Sequence, residues 1–411
     1  MADQRLNVLF IDDEDWLLQA LRRRLRSMRL EWNVEFVNNG SEALRHIEQK
    51  NIDVVISDIR MPGMSGTALL KTIQERHPEV VRIILSGYVE NIQILEAVGA
   101  SHQYLAKPCG AEKIVEAINR SIHLRSHIPS QCLLRRVTGI TNIPILPDAF
   151  ERFMKELSEA TASINSIADV IEHNFAIAAI IMKLTNSEYL GLPNKMISIK
   201  NAVQYLGIET IQSLVKVTGV FDLMDYKRDI ALQIRTINRE SMAIASLARQ
   251  IALSENLGKD EAEIAFCAGL FSQLGSVLFL MDKSSKSRGY LQKLKSEPLV
   301  IPETEKMLFG TTHAYVGAYL LSLWGFTDSI IEAVLYQHDP SKANVKIFNA
   351  TTSVYIAREL ICHLWAVNNV EIERQNRVQL NAPYLRELGK LDRVAVWEGL
   401  CNEQYNCRVV Q

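Results

Sequence analysis

Val54-Val-Ile-Ser-Asp-Ile-Arg-Met-Pro-Gly63 reads as a short strand that runs straight into an acidic turn. Its first four residues offer no polar face to water, which suits a strand covered on both sides in a parallel sheet. Asp58 follows at once, and Pro62-Gly63 turns the chain. Working outward, four more runs share this character: Val8-Leu-Phe-Ile11, Val34-Glu-Phe-Val37, Arg82-Ile-Ile-Leu85 and Gln103-Tyr-Leu-Ala106. Helical periodicity fills the gaps, as in Trp16 to Met28, where Leu17, Leu18, Leu21 and Leu25 share a face. Strand and helix alternating five times predict an α/β doubly wound, five-stranded parallel sheet. Such a sheet collects its chemistry at the carboxyl ends of its strands.

Those ends are unusually polar. The first strand ends in Asp12-Asp13, the third in Asp58, the fourth in Ser86-Gly87, and the fifth in Lys107-Pro108. Three crowded carboxylates repel one another and call for a hard cation, Mg²⁺ or Mn²⁺ by their oxygen ligands. A hydroxyl from Ser86 and an ammonium from Lys107 at the same edge would hold phosphoryl oxygens. Asp58 would be the nucleophile, carrying the group as an acyl phosphate. Taken singly, an Asp after a strand is a turn residue and a Lys before Pro is a solvated loop. Five such groups at successive strand ends favour the site.

These residues resemble the response-regulator receiver family, whose CheY-like domains are flavodoxin-like in fold. The matching text is Phe10-Ile-Asp-Asp-Glu14, Ser57-Asp-Ile-Arg-Met-Pro-Gly63, Leu85-Ser-Gly87 and Tyr104-Leu-Ala-Lys-Pro108. The resemblance implies phosphorylation of Asp58 by a sensor histidine kinase or phosphotransfer protein. It implies Mg²⁺ held by Asp13, Asp58 and the backbone carbonyl of Arg60, with Asp12 acting through water. It makes Ser86 and Tyr104 a switch pair and Lys107–Pro108 a cis bond. It also implies a signal-bearing surface around helix four and strand five, often a homodimer face.

Beyond about residue 125 the strand signal stops. Ile167 to Thr185, Ile199 to Leu206, Glu209 to Leu223, Ile234 to Leu253, Asp260 to Met281, Glu303 to Leu323 and Asp328 to Tyr336 read as amphipathic helices. Gly207, Gly258 and Gly325 stand where C-terminal caps are expected, and Pro340 closes a further helix. This half is expected to be an all-α helical bundle. The organisation expected is a receiver over 1–125, a helical linker over 126–139 that could extend the receiver's last helix, a bundle over 140–340, and a helical extension over 341–411 packed on it. A stiff join would transmit reorientation better than a floppy one.

The bundle resembles the HDOD domain, a relative of the HD phosphohydrolases. The carriers are Ile143-Pro-Ile-Leu-Pro147, Ile181-Met-Lys-Leu-Thr-Asn-Ser187, Tyr189-Leu-Gly-Leu-Pro193, Ile197 to Gly207, Ala268-Gly-Leu-Phe-Ser-Gln-Leu-Gly275, His313-Ala-Tyr-Val-Gly317 and Gln337-His-Asp-Pro340. HD enzymes hold metal with a His-Asp pair and further histidines. Here Ser272 and Gln273 stand where that pair belongs, and Arg239-Glu240-Ser241 stands where an upstream histidine belongs. The helical half is therefore expected to have no catalytic residues and to bind a downstream signalling protein. His313 and His338 are read first as packing or capping residues, with leftover metal ligands or a binding-site pair as the other reading. The alternative is a metal-dependent, HD-type cyclic-nucleotide phosphodiesterase.

Bulk properties set the remaining limits. The 411 residues carry 45 basic and 47 acidic side chains, a balance with no general pull toward nucleic acid or an anionic membrane. DNA is not expected as a partner, and Arg22-Arg-Arg24 with Arg26 reads as a solvated face. No apolar run of the roughly 18 to 20 residues that span a bilayer stands out, and the first residues do not read as a signal peptide. A cytoplasmic protein with reduced, structural cysteines is expected.

Overall fold

The computed structural model describes the chain except for 1–4, 88–98, 144, 160, 188–191, 193–194, 217–220, 222, 224–225, 283, 297–300, 344–345, 370–379 and 407–411. The signal surface expected around a fourth helix falls partly on 88–98, and Tyr189-Leu-Gly-Leu-Pro193 lies almost wholly outside the described residues, as does Cys407.

The first half is a parallel sheet in the order β2-β1-β3-β4-β5, formed by β1 (Leu6–Ile11), β2 (Trp32–Val37), β3 (Val54–Ser57), β4 (Val81–Ser86) and β5 (Gln103–Ala106). All of β3 and β4 is buried, as unbroken apolar strands in the middle of such a sheet must be. Register aligns Ile11 with Ser57 and Ser86 with Ala106, so Asp12, Asp58 and Lys107 emerge along one edge. Helices α1 (Asp15–Ser27), α2 (Gly40–Gln49), α3 (Gly66–Arg76) and α4 (Ala111–His123) flank the sheet. Asn39 and Ser65 cap α2 and α3 through side-chain oxygens that accept from the N–H three residues on.

The second half is helical: α5 (Gln131–Gly139), α6 (Pro147–Ser158), α7 (Ile164–Glu172), α8 (Phe175–Thr185), α9 (Ile199–Leu206), α10 (Ile208–Lys216), α11 (Arg228–Ser254), α12 (Lys259–Phe271), α13 (Leu274–Leu280), α14 (Ser285–Ser296), α15 (Ile301–Phe309), α16 (His313–Leu323), α17 (Asp328–Leu335), α18 (Ala350–Asn369), α19 (Ala382–Glu387) and α20 (Val394–Asn406). Its centre is α12, packed against α11, α17 and α18. Outside the first sheet, the described residues form one isolated bridge, Ile145 to Leu223.

Three helices expected to be continuous are each two. Asn174 breaks the first, its Oδ1 accepting from the N–H groups of Ala176 and Ile177 to start a new helix. The second breaks at Ser272 and Gln273, and the third at Gly310, whose φ of 77° ends α15. Periodicity carries across such breaks because the apolar face resumes after a turn. The linker does not extend α4 either. A 3₁₀ turn over Arg125–His127 separates α4 from α5. The expectation of no membrane-length apolar stretch also needs correction. Lys259–Leu280 is long and apolar enough, but 94% of its most apolar 18-residue window is buried in the bundle's central helix pair.

Candidate functional site

The acidic edge is built by strand ends. Lys107 Nζ lies 2.6 Å from Asp12 Oδ2 and 2.9 Å from Asp58 Oδ1, tying the ends of β1, β3 and β5 together. Asp12 and Asp58 are 4% and 7% exposed, so the ammonium between them is what makes two buried carboxylates tolerable. Burial pulls Lys107 down, but its hydrogen bonds to Asp12 and Asp58 carry it above the usual ammonium range. Asp58 Oδ2 also accepts from the Arg60 N–H at 2.7 Å, and Asp12 Oδ1 from the Glu14 N–H at 3.0 Å. Asp13 follows at the same strand end and is exposed.

The Lys107–Pro108 bond is cis. Ser86 is buried at the end of β4, and its carbonyl accepts from the Lys107 N–H at 2.8 Å. The Tyr104 ring is turned inward at 3% exposure, its hydroxyl 3.3 Å from Ser86 O and 3.2 Å from Gly87 O. Asp12, Asp13, Asp58, Ser86 and Lys107 therefore stand at this edge, with Tyr104 buried behind it.

The residues fit a magnesium ion. Among the described residues no three acidic, histidine or cysteine side chains close a cage by themselves. Mg²⁺ does not ask for one, since it is held by one or two carboxylates with the remaining positions filled by water. Asp12, Asp13 and Asp58 provide hard oxygen donors in excess of the single Lys107 charge.

Sequence reasoning missed a second constellation, at the joint. Arg82, His102 and Lys183 are buried basic side chains, all directed at backbone carbonyls around the end of α5. Arg82 Nη2 donates to Thr138 O at 3.1 Å, and Lys183 Nζ to Thr141 O at 2.7 Å. His102 Nδ1 accepts from the Arg82 N–H, which leaves Nε2 to donate to Thr138 O at 2.7 Å. Cations at a helix C-terminus complement its dipole. Burial brings Arg82 down to about 9 and Lys183 to about 7. Receiver and bundle also meet directly. Gln103, next to Tyr104 in β5, donates to Ser322 O at 3.3 Å, and Arg120 of α4 pairs with Asp328 at 3.2 Å. The Ser322 hydroxyl donates to Arg120 O.

In the bundle, Ser272 and Gln273 are buried where α12 meets α13. The Ser272 hydroxyl donates to Gly269 O, its carbonyl accepts from Gln337 Nε2, and Gln273 Oε1 accepts from Ser276. His313 and His338, far apart in sequence, come together with Nε2 atoms 3.0 Å apart. Gly275 permits this packing, because a Cβ there would stand 2.1 Å from His313 O.

Family comparison agrees with this geometry. Residues 8–119 match the response regulator receiver domain, and residues 143–340 match the HDOD domain. The chain carries a response regulator receiver domain followed by an HDOD domain. The hydrogenase transcriptional regulatory protein HoxA of Cupriavidus necator is 34% identical over 124 residues, 30% of this chain and 25% of HoxA. The DNA-binding transcriptional regulator NtrC of Escherichia coli is 34% identical over 173 residues, 39% of this chain and 35% of NtrC. The chain thus spans about a quarter to a third of the length of these curated relatives. Among solved structures, a signal receiver domain of an HD domain-containing protein from Pseudomonas fluorescens Pf-5 is 27% identical, covering 30% of this chain and 98% of its own, with a TM-score of 0.29.

Proposed function

We propose that this response regulator takes a phosphoryl group on Asp58 from a histidine kinase or phosphotransfer protein, and that the charge resets how its receiver grips a non-hydrolytic HDOD output domain. A carboxylate oxygen of Asp58 attacks phosphorus, the donor's bond to phosphorus breaks, and an acyl phosphate results. Asp13, Asp58 and the Arg60 carbonyl, with Asp12 acting through water, would hold Mg²⁺, which would supply charge neutralisation for the phosphoryl oxygens. Lys107 turns from the Asp58 carboxylate to the new oxygens, and Ser86 donates to one of them. The observation that carries the reading is the convergence of the Asp12 and Asp58 carboxylates on the Lys107 ammonium.

The output follows from position. Tyr104 sits between the acidic edge and Gln103, which holds the bundle at Ser322. Repacking of β5 would be felt at α16 and at the Arg120–Asp328 pair. We take 1–125 as the receiver, 126–139 as the joint, 140–340 as the HDOD domain and 341–411 as its extension. The buried hydrogen bonds of Ser272 and Gln273 support an output without metal-dependent hydrolysis, since neither offers an anionic or imidazole ligand.

Incubating the full chain with an acyl-phosphate donor and Mg²⁺ should label it, and Asp58→Asn should reduce labelling to background. Equal labelling of the Asn variant would end the assignment. Labelled protein should also show faster amide exchange in α4 and α16 than unlabelled protein. Unchanged exchange there would remove the gating half of the reading.

A further inference from the structure

A second buried network lies within the bundle, away from the receiver. The Tyr290 hydroxyl donates to Glu305 Oε1 at 2.6 Å. Glu305 Oε2 accepts from the His313 backbone N–H at 2.8 Å and lies 2.8 Å from His313 Nδ1. The far side of the His313 ring meets His338, Nε2 to Nε2, at 3.0 Å. Tyr290 and Glu305 are fully buried and His313 is 1% exposed, whereas His338 lines an open cleft of about 360 Å³. A chain of hydrogen bonds thus runs from a buried carboxylate to an accessible imidazole.

Proton accounting gives the chain two states. A carboxylate has no proton to offer, so His313 Nδ1 carries one. Only one proton fits between the facing Nε2 atoms. In the first state His338 donates it, His313 is neutral, and His338 Nδ1 is an acceptor. In the second, His313 is an imidazolium steadied by Glu305, and His338 Nδ1–H is a donor. The second state holds one more proton than the first.

The charged surroundings decide which state an empty cleft favours. Burial, then Arg358, His313 and Lys306, hold His338 well below the usual imidazole range, although Glu303, Asp339 and Glu359 also line the cleft and the buried Glu240 lies within electrostatic reach of Arg358. Added positive charge near the pair is disfavoured there, so the first state wins. An anion in the cleft reverses that balance. The cleft can receive one. Arg358, only 8% exposed, lines it; Nη1 is engaged by Glu359 at 2.6 Å, and among the described residues Nε has no hydrogen-bond partner. Lys342 is engaged by Asp339, but Lys306 has no ion-pair partner among the described residues. The volume is at the small end of organic-ligand pockets, roughly 300–1,000 Å³, and exceeds what a bare oxyanion fills.

We propose that this cleft binds an oxyanion of the phosphate or sulfate class carried on a small organic molecule, and takes up about one proton through His338 and His313 as it does so. Tyr315 and Tyr336 would cover the organic part. Tyr315 also stacks on His127 of the joint, ring centroids 4.8 Å apart, so an occupied cleft would act on the connection between the two domains.

The test uses the full-length Asp58→Asn protein without divalent cation, which keeps the receiver out of the measurement. Calorimetric titration at pH 8 compares sulfate, adenosine 5′-monophosphate and uncharged adenosine in two buffers of different ionisation heat. Both anions should bind, the nucleotide more tightly, adenosine should not, and proton uptake should approach one. His338→Gln should weaken nucleotide binding tenfold or more. Glu305→Gln should bind with the proton uptake lost. Should that variant not fold, the ring-nitrogen shifts of His338 in the otherwise unaltered protein report whether the anion moves its proton from Nε2 to Nδ1. No binding of either anion at millimolar concentration, adenosine binding as well as the nucleotide, or a bound anion that leaves those shifts unchanged would overturn the proposal.

Discussion

Gly66→Ala should cost the receiver its phosphorylation although it removes no acidic side chain. Gly66 is the first residue of α3, and its N–H donates to Ile59 O at 2.9 Å. A Cβ there would lie 1.8 Å from the backbone oxygen of Asp58, 2.8 Å from its carbonyl carbon and 3.0 Å from Ser57 Oγ. The obstacle is backbone rather than the tip of a flexible side chain, so α3 or the Asp58 turn must move. Overpacking of this kind costs about 1–3 kcal/mol and occasionally more. The movement falls on the peptide that carries the nucleophile, where errors of about 1 Å lower rates by orders of magnitude. Denaturant unfolding should show the loss of stability, and acyl-phosphate labelling of the folded fraction should fall at least tenfold. Wild-type labelling in a stable Gly66→Ala protein would refute the expectation. Gly63, with φ of 80° and open space around the Cβ position, is a useful contrast, because strain there is local and leaves Asp58 where it is.

How much of this was legible in the sequence depended on whether a feature is local. The β3 strand and its acidic end are written within ten residues, because burial on both faces forces an unbroken apolar run and the site sits at the strand's end. Lys107, Ser86 and Tyr104 could be placed because each closes or occupies such a strand. Nothing local announces the cluster of Arg82, His102 and Lys183. Arg82 merely opens an apolar run, and its partner Thr138 lies 56 positions away. The same holds for Glu305, whose link to His313 and Tyr290 depends on how α14, α15 and α16 pack. His313 and His338 were visible as histidines, but a reading as packing or capping residues could not place their rings against each other. The helix breaks at Asn174 and Gly310 were hidden for a related reason: periodicity reports which face is apolar, and that face continues through a turn.

Stability should rise with pH between about 7 and 9, and Lys183→Met should remove most of that rise. Lys183 is 3% exposed, its ammonium 2.7 Å from Thr141 O and 5.3 Å from the Trp324 ring centroid. Burial first, and the Arg82 charge second, bring it from 10.5 to about 7. The unfolded chain therefore binds a proton at this position through a range where the folded protein has released it. Unfolding stability then increases with pH above about 7 and would continue to do so toward 10.5. The upper part of that range is shared with groups of opposite sign. Burial raises Cys362 and Cys401 to about 11, so their unfolded-state ionisation lowers stability once pH passes 9. Lys107 enters later still, since a raised ammonium keeps its contribution below the ordinary value near 10.5 and loses it only above. Between 7 and 9 the Lys183 effect should amount to about 2 kcal/mol, from 1.36 kcal/mol per pKa unit. Urea unfolding at half-unit pH steps measures it directly. Methionine keeps the length of the side chain without the charge, so the variant's curve should be much flatter over this interval. It should keep a small rise near 9 from Arg82, which burial brings from 12.5 to about 9, and a small fall just above 7 from Glu240, which burial raises to about 7. A slope equal to that of the unaltered protein would place the titrating group elsewhere. The physiological interest is where the charge sits: Lys183 and Arg82 hold the carbonyl end of α5, so release of the Lys183 proton loosens repulsion inside the joint through which the receiver acts on its output domain.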